Sequence, residues 1–350
     1  MNFLLHMLVL CILTANLQAK VVLDTDNKPV TVPDKVSRVF GSSPPMNYLI
    51  YAIDPNKMIG LNFDAKNGNN QATKEYLTPK FLSLPVIGSF HGGGKNINLE
   101  TLMKAKPDLI LVWQDDMVVG TVEKAIAKTK IPTITVPFRK IEEMPLAIRF
   151  AADALNEPMR GKILADYASK KILHVSKSVK NIKPTRYYYA EGAEGLSTEC
   201  DTSFHVEAMN FAGGENVHKC QQSGLLGLEK INFEKLLTYD PDVIIVQSEF
   251  TYHAIMNNPL WKNLRAIKAG NVHIVPITPF NWVDRPPSFM RIVGIEWLAN
   301  IFHPREYKID LSHEVKEFYA LFFGVKVSDE EVAKITNSGK APLSWSGCSK

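Results

Sequence analysis

The chain has 350 residues, enough for two domains of ordinary size, and 45% hydrophobic with 22% charged residues excludes a disordered or fibrous protein. The formal net charge is +4, and no Lys/Arg block or stripe of the kind that binds nucleic acid stands out. Local positive charge can still attract an anionic ligand.

Residues 1–19, MNFLLHMLVLCILTANLQA, are apolar and carry no formal charge, and Leu17-Gln18-Ala19 suits a signal-peptidase cut. Export with cleavage near Ala19 is expected. The n-region lacks Lys/Arg, so an uncleaved anchor is the alternative. Cys11 follows Leu10 where a lipoprotein signal needs a small residue, which excludes lipidation. No later segment has about 18 uninterrupted apolar residues, so no other spanning helix is expected. Residues 21–33 read as an exposed hairpin.

Short apolar runs then alternate with helical patterns, which argues βα units and mainly parallel sheets. Strands are expected at 37–40, 58–61, 108–113 and 133–136, with helices at 47–54 and 97–106. Further along, 187–191, 242–247 and 272–276 read as strands, with helices at 204–213, 233–239 and 259–268. Between the halves, 141–180 has helical propensity throughout, with apolar residues at Leu146, Phe150, Ala154, Ile163, Tyr167 and Ile172, and Pro158 should kink or break it. The tail at 308–340 should carry a helix from His313 to Leu321 and another after Ser328.

An internal repeat organises these elements. NINLETLMKAKPDLILV (96–112) aligns without gaps on KINFEKLLTYDPDVIIV (230–246), with 8 of 17 positions identical. In each copy an amphipathic helix is stopped by Pro107 or Pro241 and a buried strand follows. The fold class is therefore α/β, two similar lobes with mainly parallel sheets joined by one long helix. The expected divisions are a signal peptide (1–19), an N-terminal lobe (20–140), a linking helix (141–182), a C-terminal lobe (183–307) and a helical tail (308–350).

Of the cysteines after the signal, Cys200 and Cys220 are close enough to pair in an oxidising compartment, a bridge worth roughly 3 kcal/mol. A soft-metal role for Cys200 is the other reading, although no C-x-x-C or H-E-x-x-H spacing accompanies it. Cys348 is left over.

Five segments, VVLDTDNKPVTVPDKVSRV (21–39), PVIGSFHGGGKNINLETLMKAKPDLILV (85–112), FHVEAMNFAGGENV (204–217), INFEKLLTYDPDVIIV (231–246) and PLWKNLRAIKAGNVHIVP (259–276), in this order resemble the periplasmic binding proteins of metal-chelate ABC importers, the siderophore, haem and cobalamin group. The resemblance covers about residues 20–305. It implies two lobes on a helical backbone, a ligand groove where their strand ends meet, and a periplasmic location. The implied partners are an ABC permease with its ATPase and a small-molecule metal complex, with the binding protein a monomer and no catalytic cofactor. It also implies one glutamate per lobe that docks on permease arginines. By register in the repeat these are Glu100 and Glu234, which otherwise read as ordinary solvated helix residues.

Groove residues are sought in the loops after the strands. His91 lies in GSFHGGGKN, where glycines permit close backbone approach, and is the candidate metal ligand or anion donor. Trp113 with Gln114, Asp115 and Asp116, then Arg139, follow strands of the first lobe. Tyr189 with Glu191, Tyr252 with His253, and Trp282 with Asp284 and Arg285 follow strands of the second. Aromatic faces and guanidinium groups suit a large, planar or anionic chelate. Each of these aromatics equally suits a core position. Tyr187 and Tyr188 are expected in the core, and His205 is expected to cap or pack its helix.

Catalysis is disfavoured because G-x-S-x-G, a P-loop, a strand-linked G-x-G-x-x-G and zinc-hydrolase spacings are all missing. A two-lobed sensor or adhesion module remains an alternative. Among ligands, a hydroxamate or catecholate iron complex stands first. A nickel or cobalt chelate such as nickel–histidine is the runner-up, and haem, cobalamin or an oxyanion remain open.

Overall fold

The computed structural model describes residues 19–23, 29–64, 75–90, 97–114, 116–127, 129–222 and 227–336. The expectations for residues 1–18, His91, Asp115 and Cys348 therefore lie outside the described residues. The described residues begin with an antiparallel pair, β1 (Ala19–Leu23) and β2 (Pro29–Pro33). A three-stranded parallel sheet follows, in the order β3 (Val39–Gly41), β4 (Leu109–Trp113), β5 (Thr133–Val136). The strand expected at 58–61 is reduced to isolated parallel bridges, Val39 to Met58 and Leu61 to Val86.

The second sheet is also parallel. It contains β6 (Thr185–Ala190), β8 (Gly214–Asn216), β10 (Val243–Val246) and β11 (Val272–Ile274), in the order β11-β10-β6-β8. A short antiparallel pair, β7 (Ser197–Thr198) with β9 (Glu229–Lys230), lies beside it. The principal helices are α1 (Pro44–Ile53), α2 (Leu99–Lys104), α3 (Met144–Ala154), α4 (Pro158–Val179), α5 (Phe233–Tyr239), α6 (Arg291–Phe302), α7 (Leu311–Phe323) and α8 (Asp329–Ile335).

The repeat is a repeat of hydrogen bonds as well as of letters. Asn98 caps α2 by accepting from the Thr101 N–H at 2.8 Å, and Asn232 caps α5 through the Lys235 N–H at 2.9 Å. Leu102 and Leu236, at matching positions, are both fully buried. Each helix ends at a non-glycine residue of positive φ, Lys106 (45°) and Asp240 (37°). In each lobe an arginine from the preceding strand edge then donates to the last carbonyls: Arg38 to Ala105 and Lys106, Arg186 to Tyr239 and Asp240. These contacts satisfy groups a helix end leaves orphaned.

Pro158 breaks the connecting segment rather than kinking it. α3 stops at Ala154, and Pro158 opens the 22-residue α4 at a position that needs no N–H. The two helices pack together and share a core cluster with both sheets. α6 completes that core from the second lobe. Gly294 lets it reach the Trp282 backbone, since a Cβ there would sit 2.0 Å from the Trp282 carbonyl oxygen. α7 places Phe318, Phe322 and Phe323 against Tyr51 of α1, Phe280, Phe289 and Tyr167 of α4. The tail is thus part of the core that joins the lobes.

Candidate ligand cleft

The loops that leave the C-terminal ends of both sheets converge. The first lobe contributes Gln114 after β4 and Arg139 after β5. The second contributes the 201–207 turn and the 277–286 loop after β11. Phe204 crosses between them. Its ring meets Trp113 edge-on at 6.4 Å, and the Arg139 guanidinium lies 5.8 Å from its centroid, within cation–π range. A cavity of about 750 Å³ opens beside Arg139, Phe204 and Asn210, and another of about 360 Å³ beside Tyr48, Asn62, Phe280 and Arg285. Tyr48 and Phe280 stack directly on each other at its wall, with ring centroids 3.7 Å apart.

Three rings expected to face the ligand are core residues instead. Trp113 is 1% exposed and Tyr189 and Trp282 are fully buried. For Trp113 and Tyr189 the reason is the parallel sheet, which is covered on both faces, so that a ring at a strand end packs under the loop rather than above it. Trp282 also donates its indole N–H to the Thr278 carbonyl at 3.0 Å. Tyr187 and Tyr188 are buried as expected, and His205 packs with its Nδ1 2.6 Å from Asp284 Oδ2. Arg139 is exposed and Arg285 keeps 20% of its side chain accessible. Tyr252 is half-buried on the helix Glu249–Asn257, edge-on to His253. Glu100 and Glu234 are exposed in the first turns of α2 and α5, with Lys104 2.7 Å from Glu100.

Cys200 and Cys220 form a disulfide. His218 comes within 4.8 Å of both sulfurs, but the bond between them leaves no thiolate pair for a soft metal.

Beneath the cleft lies a charged cluster that spacing did not reveal. Arg285 Nε donates to Glu191 Oε1 at 2.6 Å, and its terminal nitrogen pairs with Glu199. Glu199 also accepts from Ser203 Oγ (2.8 Å) and the Leu228 N–H (3.0 Å). Gly227, at φ +60°, packs so closely that a Cβ would lie 2.0 Å from its carboxylate. Both glutamates are fully buried, and burial pushes the Glu191 carboxyl up to about 8 against the opposing pull of Arg285. The neighbouring Asp284, 1% exposed, holds His205 above its usual value, against the effect of burial. Arg285 itself has φ +54°, a costly conformation for a side chain with a Cβ, held here by its ion pairs. Glu199 carried no sequence signal beyond its place next to Cys200.

A buried arginine joins the lobes. Arg291, 1% exposed, donates to the Arg139 carbonyl at 2.9 Å and the Phe138 carbonyl at 3.2 Å, and pairs with Glu207 at 2.5 Å. Glu207 accepts in turn from the Ile141 N–H at 2.8 Å. The backbone that presents Arg139 to the cleft is therefore anchored from the other lobe.

The sequence model of the family described as "periplasmic binding protein" matches residues 85–277, more than half of the chain. The chain belongs to the periplasmic binding protein family. A solved ABC transporter solute-binding protein from Sulfurospirillum deleyianum is 38% identical, with a TM-score of 0.86 over 91% of this chain and 99% of that one. A vitamin B12-binding protein of Vibrio vulnificus is 24% identical over 221 residues, 61% of this chain and 76% of that protein. Helicobacter pylori CeuE, solved as a nickel–histidine complex, shares the fold at 19% identity and a TM-score of 0.66, over 91% of this chain and 99% of that one. The Sulfurospirillum protein is an ABC transporter solute-binding protein, and this periplasmic binding protein is likewise a solute-binding protein of an ABC transporter, not an enzyme. Among the described residues no helix is long and apolar enough to cross a membrane.

Proposed function

We propose that this periplasmic binding protein captures an anionic metal chelate between its lobes and delivers it to an ABC permease. The observation that carries the ligand class is the pairing, at converging strand ends, of two accessible arginines, Arg139 and Arg285, with the partly exposed rings of Phe204 and Tyr48. Rings supply contact area, and guanidinium groups suit carboxylate, hydroxamate or catecholate oxygens of an iron complex. Residues 20–140 and 183–307 are the capturing lobes, 141–182 is the stiff connection and 308–350 the tail. Tyr252 contributes from the rim and His91 supplies a metal or anion contact, whereas Trp113, Tyr189 and Trp282 support the cleft from below. The protein acts as a monomer in the periplasm after cleavage near Ala19, and Glu100 and Glu234 dock on the permease.

A cobalt or nickel chelate is the second reading. It is supported by the curated relatives named vitamin B12-binding proteins and by CeuE with nickel and histidine. Thermal unfolding of residues 20–350 with a panel of ferric catecholate, ferric hydroxamate, haem, cyanocobalamin, and Ni²⁺ with and without histidine tests both. A ligand at 100 times its Kd adds about 2.7 kcal/mol to stability. A rise in Tm with a ferric chelate supports the first reading. A rise confined to cobalamin or nickel–histidine replaces it with the second.

A further inference from the structure

The cleft arginine Arg285 is stored against more negative charge than it can neutralise. Three carboxylates, Glu191, Glu199 and Asp284, are each no more than 1% exposed, and among the described residues the cations paired with them are Arg285 and His205, with Arg291 acting on Asp284 without an ion pair to it. With Arg285 and His205 charged and all three acids ionised these directly paired groups would carry a net charge of −1, a costly state in a low-dielectric interior, since Arg291 is itself paired with Glu207. Glu191 and Glu199 meet on the same guanidinium, so they are the pair in which one proton removes that excess. The groups facing Glu191 are Tyr188 and Tyr189 on its own strand, Glu199 after β7, and Arg285 and Asp284 of the 277–286 loop.

Arg285 also lines the 360 Å³ cavity, so an anionic group entering there competes with Glu191 and Glu199 for the same guanidinium. We infer that ligand capture is proton-linked: an anionic ligand engages Arg285 when the Glu191–Glu199 pair holds a proton, and loss of that proton locks Arg285 to the protein's own carboxylates. The inference rests on the anionic-chelate reading above and goes further by naming the competing groups and the sign of the pH effect. Burial favours the protonated form of Glu191, with its carboxyl at about 8, so the lock closes on the alkaline side. A ligand whose contacting groups are neutral gains nothing from the exchange, so the same cluster discriminates by charge.

The test uses residues 20–350 with ¹³C-labelled glutamate side chains, followed by NMR from pH 5 to 10, with Glu191→Gln identifying the Glu191 signal. The same protein is titrated with ferric tris-catecholate and with cyanocobalamin at pH 6, 7, 8 and 9. The expected results are a Glu191 carboxyl that titrates near pH 8 and a catecholate affinity that falls about tenfold per pH unit above it, as one linked proton requires. That fall should be lost in Glu191→Gln and missing for cyanocobalamin. A Glu191 signal in the ordinary carboxylate range overturns the inference, as does an equal fall in Glu191→Gln. No binding by either probe at any pH counts against the capture reading, and the Glu191 titration then decides the inference by itself.

Discussion

Arg291 is the residue on which the geometry of the cleft depends most. Its guanidinium is buried, satisfies two carbonyls of the opposite lobe and neutralises Glu207. Arg291→Met should destabilise the protein by about 3 kcal/mol, because it leaves two carbonyls without this donor and the Glu207 charge without its cation. Chemical denaturation measures this directly. Replacing Cys200 and Cys220 together by serine should cost about 3 kcal/mol, since the bridge closes a loop with a sequence separation of 20. Equal midpoints for the double variant and the parent would contradict that figure. The cysteine pair was legible as one of two readings because two cysteines close together in a chain expected to be exported can pair, and the disulfide decides against the soft-metal reading. The burial of Trp113 and Tyr189 was not, because a continuous apolar strand carries no alternation to say which way its last ring turns, and that of Trp282 was not because the 277–286 loop has no period to read. Arg291 was also hidden: it sits in an apolar run whose partners lie more than 80 positions away.

At the scale of elements the two lobes repeat one device, an asparagine-capped helix with an exposed glutamate in its first turn. Asn98→Ala and Asn232→Ala should each lose about 1 kcal/mol by denaturant titration, with additive effects because the sites are on separate lobes. Glu100→Ala with Glu234→Ala should weaken stimulation of the importer's ATPase while leaving ligand affinity unchanged. An unchanged ATPase response would remove both residues from docking. The repeated helix, stop and strand could be read from the letters alone, since Pro107 and Pro241 punctuate an aligned pattern. Two elements could not. β8, Gly214-Glu215-Asn216, has no apolar residue and is a strand only because β6 pairs with it. α6 is apolar on nearly every face because it is buried on nearly every face, which erases the helical period.

For the whole molecule, two buried carboxyls set the response to pH. Burial raises Glu191 and Glu296 to about 8, the latter despite the attraction of Lys171. A group whose folded value is raised stabilises fully below its unfolded value, near 4.5, and that contribution fades as pH rises through 8. Buried His273, lowered to about 4 by desolvation, acts in the opposite direction, but its effect is complete above 6.5. Tm should therefore fall between pH 6.5 and 8.5, and Glu296→Gln should reduce the fall. A flat or rising Tm across that window would contradict the burial of these carboxyls. Glu296 joins α4, α6 and α7 through Lys171, Tyr307 and Glu314, so the loss would loosen the helices that hold the lobes together.

The central claim is capture of an anionic metal chelate in the cleft where Phe204 and Arg139 meet. Trp113 touches Phe204 from below, which makes tryptophan emission a reporter of that spot. The measurement is a fluorescence titration of residues 20–350 and of Arg139→Ala with ferric tris-catecholate at pH 6.5. Saturable quenching in the parent, shifted to at least tenfold higher concentration in Arg139→Ala, is the predicted result. An unresponsive parent of intact fold, or equal affinity in both proteins, would contradict it.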